Sequence, residues 1–136
     1  MKRVLLDTNV ILDIALMREP HYALAVAIFE RIDAQGIEAS MTASSVTDIY
    51  YIAKKEKGHA DAIGFVRGLI QVVHVLGVDR DIIEMALDSE MKDFEDAVQA
   101  SAASVQGISM VITRNKDDFA TSGLDVHTPK EFLSLP

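Results

Sequence analysis

The chain has 136 residues, room for one hydrophobic core and too few for two; 49% of them are hydrophobic, few are aromatic and none is cysteine. The missing cysteine removes disulfides, thiolate metal sites and cysteine nucleophiles, and it fits a reducing, cytoplasmic setting. A net charge of −8 argues against a general nucleic-acid binder held by bulk electrostatics, but not against an enzyme whose carboxylates hold cations.

Val4-Leu5-Leu6 reads as a buried strand that stops at a carboxylate, Asp7, followed by Thr8 and Asn9. A short helix, Val10 to Leu16, follows and ends near Glu19-Pro20. His21 to Ala34 is amphipathic, with Ala25, Ile28, Phe29 and Ile32 at helical spacing, and closes at Gly36. Glu38 to Met41 is a short strand; Thr42-Ala43-Ser44 turns and caps a third helix, Ser45 to Lys57, and His59 to Leu69 is a fourth. Val72 to Leu76 is β-branched and reads as a strand, then Asp79 caps a helix from Arg80 to Leu87. Asp93 to Val105 is an alanine-rich helix. Met110 to Thr113 is a second buried strand ending in polar residues, and Asp125 to His127 a last short one before a C-terminal turn, Pro129 to Leu133. Strands alternating with helices predict an α/β fold, a parallel sheet with helices on both faces, with residues 1–136 as a single domain. No apolar run approaches the ~20 residues that cross a bilayer, and Asp7, Asn9 and Asp13 interrupt the apolar opening, so neither a leader nor a membrane span is expected.

Ligands of parallel sheets gather beyond the carboxyl ends of the strands, and four acidic regions fall at such strand ends or at helix starts. Asp7 follows the first strand, Asp48 lies early in the third helix, Asp93-Phe94-Glu95-Asp96 opens the alanine-rich helix, and Asp117-Asp118 follows the strand ending at Thr113. Each has an ordinary explanation: Asp7 or Thr8 as a cap, Asp48 at a helix dipole, Asp93 as N-cap with Asp96 at N3, Asp117-Asp118 as loop. Capping does not require acids at the same end of four separate elements. Clustered carboxylates repel one another and are tolerated where cations compensate, and hard oxygen donors suit Mg²⁺. The chain offers no Gly-rich phosphate loop, no His-x-x-x-His and no Gly-x-Ser-x-Gly elbow, and its four histidines, at 21, 59, 74 and 127, are scattered and read as structural.

At these residues the chain resembles the PIN domain, the metal-dependent ribonuclease fold of VapC-type toxins in toxin–antitoxin pairs. The matching motifs, in order along nearly the whole chain, are Leu5-Leu6-Asp7-Thr8-Asn9-Val10-Ile11-Leu12-Asp13, Asp93-Phe94-Glu95-Asp96-Ala97 and Thr113-Arg114-Asn115-Lys116-Asp117-Asp118-Phe119. The resemblance implies a three-layer α/β/α sandwich around a central parallel sheet of four to five strands, and endonucleolytic hydrolysis of RNA with one or two Mg²⁺ or Mn²⁺ ions. It makes Asp7 and Asp96 the central metal ligands, joined by Asp48, where the family more often has glutamate. Asn115 stands where many members have aspartate, so the fourth acid falls to Asp117 or Asp118; Asp118 is favoured because it precedes Phe119. Thr8, Asn9, Ser45, Asp93 and Thr113 would support the site, while Arg114 and Lys116 would meet flanking phosphates. A small antitoxin and a homodimer are the protein partners implied.

Two other readings compete. A PIN scaffold with little catalysis could bind RNA or protein, which Asp48 and Asn115 permit. A phosphatase of the haloacid dehalogenase type also begins with a strand ending in aspartate, but it needs a second acid where Asn9 stands.

Overall fold

The computed structural model describes residues 2–136. Its centre is β1 (Arg3–Leu6), flanked by β2 (Glu38–Thr42) on one side and β4 (Met110–Ile112) on the other. β3 (His74–Leu76) and β5 (Asp125–His127) complete a five-stranded, wholly parallel sheet in the order β3-β2-β1-β4-β5. Parallel neighbours cannot be joined by hairpins, so helices cross over both faces of the sheet. These are α1 (Thr8–Ala15), α2 (His21–Gln35), α3 (Ala43–Lys57), α4 (His59–Val72), α5 (Arg80–Leu87), α6 (Phe94–Val105) and α7 (Pro129–Leu133). The expected three-layer architecture and its five strands are present.

Successive strand residues face opposite ways, and the apolar runs feed two cores. Val4, Leu6 and Ile112 face a cluster with Ile11, Ile28, Met41, Ile49, Leu69 and Phe132. Leu5 and Val111 face the other, with Leu76, Ile82, Ile108, Phe119 and the alanines of α6. The register Leu5↔Val111 and Leu6↔Ile112 keeps each pair on one face.

Element ends differ from the sequence expectation where tertiary packing overrides local preference. α4 continues to Val72 instead of Leu69, because buried Leu69 and Val73 sit four apart and satisfy a helical face while Val72 is exposed. α1 and α3 each start two residues early, at Thr8 and Ala43. The C-terminal turn is a short helix, with Pro129 at its start and a Thr128–Glu131 capping box. The expected loop after Thr113 contains a 3₁₀ turn, Lys116–Phe119, pinned by the fully buried ring of Phe119. Among the described residues no helix is long and apolar enough to cross a membrane.

Candidate active site

β1 and β4 end side by side, and the Asp7 N–H extends their ladder by donating to the Ile112 carbonyl at 3.0 Å. Asp7 thus stands at the carboxyl edge of the sheet, held by its two central strands. Its backbone occupies the N-cap position of α1, yet its side chain makes no capping hydrogen bond. The carboxylate instead accepts from Gln99 Nε2 at Oδ1 (3.1 Å) and from Thr113 Oγ1 at Oδ2 (2.8 Å). Only 5% of the residue is exposed. Burial pushes its carboxyl above the ordinary range, the two donors oppose that rise, and the nearby Asp118 charge adds to it.

α6 brings the second group of acids. Asp93 caps the helix by accepting from the Asp96 N–H at 2.9 Å, which fixes Asp96 in the first turn. Desolvation first, then the charges of Asp7, Asp93 and Asp118, push the Asp96 carboxyl up to about 7. Beside it, the Glu95 carboxyl lies within hydrogen-bond reach of Asp48 and is pushed up to about 8, chiefly by that contact. Asp118 reaches the same field from the 3₁₀ turn. The fold therefore draws Asp7, Asp96 and Asp118 into one field, while Asp48 meets Glu95, the neighbour of Asp96 on α6.

A chain of hydroxyls ties the start of α1 to the start of α3. Thr8 Oγ1 lies 2.7 Å from Ser45 Oγ, which lies 3.0 Å from Thr42 Oγ1, itself 2.8 Å from Ser44 Oγ. Ser45 is fully buried, so its hydroxyl serves this chain. Asn9 Oδ1 is buried with no hydrogen-bond partner among the described residues. Thr113 Oγ1 also accepts from the Asn115 N–H at 3.1 Å, joining the 3₁₀ segment to Asp7 through one hydroxyl. Asp117 is exposed.

The two basic residues at the rim are engaged. Arg114 Nε lies 2.8 Å from Oδ2 of Asp13, a buried acid that also pairs with Arg18 at 3.2 Å. Lys116 Nζ lies 3.2 Å from Glu131. Sequence reasoning left out three residues of this region: Glu95, Gln99 and Asp13 in its pairing role. Glu95 was visible as a member of the acidic run opening α6. Gln99 carried a subtler signal, a polar residue inside an alanine stretch one helical turn after Asp96.

The donor set is all oxygen, anionic and mutually repelling, which fits a hard divalent cation by its chemistry. Among the described residues no three acidic or histidine side chains already close around one ion. Closing three carboxylates around one ion would therefore require at least one of these side chains to move.

Residues 3–117 match the family model described as PIN domain. The chain is 23% identical over 136 residues to Ribonuclease VapC1 of Aquifex aeolicus, covering 96% of this chain and 93% of that protein. Among solved structures it resembles a toxin–antitoxin complex from Klebsiella pneumoniae, with 25% identity and a TM-score of 0.69 over 93% of this chain and 97% of that one. VapBC2 from Rickettsia felis, bound to a promoter DNA fragment, superposes with a TM-score of 0.73 at 12% identity, covering 93% and 98% of the two chains.

Proposed function

Because the chain belongs to the PIN domain family, we propose that it is a metal-dependent endoribonuclease and the toxin of a toxin–antitoxin pair. The observation that carries this reading is Asp7: a buried carboxylate that leaves its helix uncapped and faces Asp96 and Asp118 at the carboxyl edge of the sheet. The ribonuclease relative supports the reaction, and the toxin–antitoxin complex from Klebsiella supports the biological setting.

Asp7 and Asp96 would hold Mg²⁺ or Mn²⁺, with Asp48 and Asp118 completing the donors for one or two ions. When bound, such an ion supplies Lewis-acid polarisation of the phosphodiester and a more acidic attacking water. Thr113 and the Thr8–Ser45 pair keep the ligand-bearing elements in place, and Asp93 sets the start of α6. The Glu95 carboxyl, pushed up to about 8 chiefly by its contact with Asp48, limits negative charge at the mouth near neutral pH until a cation arrives. Of the rim bases, Lys116 can exchange Glu131 for an RNA phosphate at little cost because its ion pair is exposed. Arg114 is committed to buried Asp13 and offers phosphate only its outer edge. Asn115 and Asp117, both exposed, support the site from the segment that follows β4, Asn115 at the start of the 3₁₀ turn and Asp117 within it.

A second reading, a PIN scaffold that binds RNA or protein with little catalysis, draws on the open spacing of the acids. Incubating the protein with structured and single-stranded RNAs under Mg²⁺, Mn²⁺ or chelator, beside Asp7→Asn, separates the two. Metal-dependent cleavage lost in the variant is the expected result; intact RNA with measurable RNA binding supports the scaffold. Co-purification with the product of a neighbouring reading frame tests the antitoxin, and light scattering tests a homodimer. The cytoplasm is the compartment this reading requires.

A further inference from the structure

Gln99 is 1% exposed in the middle of the buried run Ala97 to Ala103, where small side chains let α6 approach the sheet closely. It is the largest residue of that run, and its amide nitrogen donates to Asp7 Oδ1 at 3.1 Å and to Asp96 Oδ1 at 3.5 Å. Its own carbonyl oxygen, Oε1, is buried with no partner among the described residues. Packing alone does not explain such a residue: an apolar side chain of similar size would fill the space without burying an unpaired amide oxygen. The N–H donors are the part of the side chain that has work to do. They contact one oxygen on each of two carboxylates that repel each other and come from different elements, β1–α1 and α6.

We infer that Gln99 is a positioning residue, whose amide bridges Asp7 and Asp96 and fixes their spacing and orientation for the cation. With Thr113 on Oδ2 and Gln99 on Oδ1, the Asp7 carboxylate is held against rotation from both sides. Each carboxylate oxygen has a second lone pair, so the bridge leaves acceptor capacity on both acids. Hydrogen bonds from such supporting groups set the orientation of ligating carboxylates, and their loss costs about 10–100-fold in metal affinity.

This inference rests on the metal-site reading above. It is tested on the full chain by Mn²⁺ titration followed by electron paramagnetic resonance and calorimetry, comparing wild type, Q99M, Q99A and D7N. Q99M keeps nearly the volume and removes both donors; Q99L is the alternative should Q99M fail to fold, judged by circular dichroism and cooperative unfolding. The expected result is Mn²⁺ affinity about tenfold or more weaker in folded Q99M, with RNA cleavage recovering as Mn²⁺ is raised. Wild-type affinity in Q99M together with weakened binding in Q99A would reduce Gln99 to a packing role and overturn the inference. Tighter Mn²⁺ binding in Q99M would overturn it as well, since the amide would then be competing with the ion. Failure of the wild type itself to bind Mn²⁺ would instead overturn the metal reading on which the inference rests.

Discussion

Replacing Asp96 with asparagine should stabilise the metal-free protein at pH 8, the opposite of what loss of an ion pair or cap would do. The carboxyl is raised from 3.8 to about 7 by desolvation and by the neighbouring acids. A raised carboxyl means the folded state binds the proton more tightly than the unfolded chain. Folding therefore carries a penalty that builds from about pH 4 and is complete above pH 7. Taken at face value the rise corresponds to about 4 kcal/mol. The carboxylate is partly open to solvent, which screens the repulsion, so about 1–2 kcal/mol is the better figure. Asp96 also interacts favourably with the N-terminal dipole of α6, worth about 0.5 kcal/mol in the other direction. A net gain of about 1 kcal/mol, or roughly 3–6 °C in melting temperature, is expected for Asp96→Asn at pH 8 in chelator. At pH 5 less than half of that gain should remain. Thermal unfolding followed by circular dichroism at the two pH values reads this directly. Adding Mg²⁺ or Mn²⁺ at pH 8 should raise the wild-type melting temperature and leave the variant nearly unchanged. A variant less stable than wild type at pH 8 without metal would refute the reasoning, because it would make Asp96 a structural carboxylate.

Three further changes probe the supports of the site. Asp13→Asn leaves Arg114 and Arg18 without their shared carboxylate and should cost about 2–3 kcal/mol in urea denaturation, less than for a fully buried pair because both guanidinium groups reach solvent. Phe119→Ala removes the buried ring that anchors the 3₁₀ turn and should cost about 3–5 kcal/mol; the displaced Asp118 should also lower Mn²⁺ affinity in calorimetry. Ser45→Ala cuts the hydroxyl chain between α1 and α3 and should lose about 1–2 kcal/mol of stability, with RNA cleavage falling as Asp48 loses its fixed position. Unchanged stability in Ser45→Ala would show that the hydroxyl chain contributes nothing to the fold.

How far the chain could be read without its structure depends on the range of the interaction. Val4–Leu6 and Met110–Ile112 were legible as buried strands because continuous apolar runs bounded by polar residues have few other uses. Asp93 was legible as a cap because capping is decided within four residues. The same local reasoning left Asp7 ambiguous between cap and ligand. Its partners, Gln99 and Thr113, lie 92 and 106 positions away, and only the order of the strands brings them to it. Arg114 looked available for phosphate until the fold placed it against Asp13, 101 positions distant. Glu95 looked like one more acid of a helix start until α3 set Asp48 beside it.

By itself, then, the sequence determined the alternation of strands and helices, the parallel sheet and the end of that sheet where acids gather, because periodicity, turn chemistry and strand-end composition are local properties. Tertiary structure decided which carboxylates face one another, which basic residues are already paired, and that a glutamine inside α6 spans two of the acids. Those outcomes depend on strand order and on how closely an alanine-rich helix can approach the sheet, and neither is encoded within any one segment.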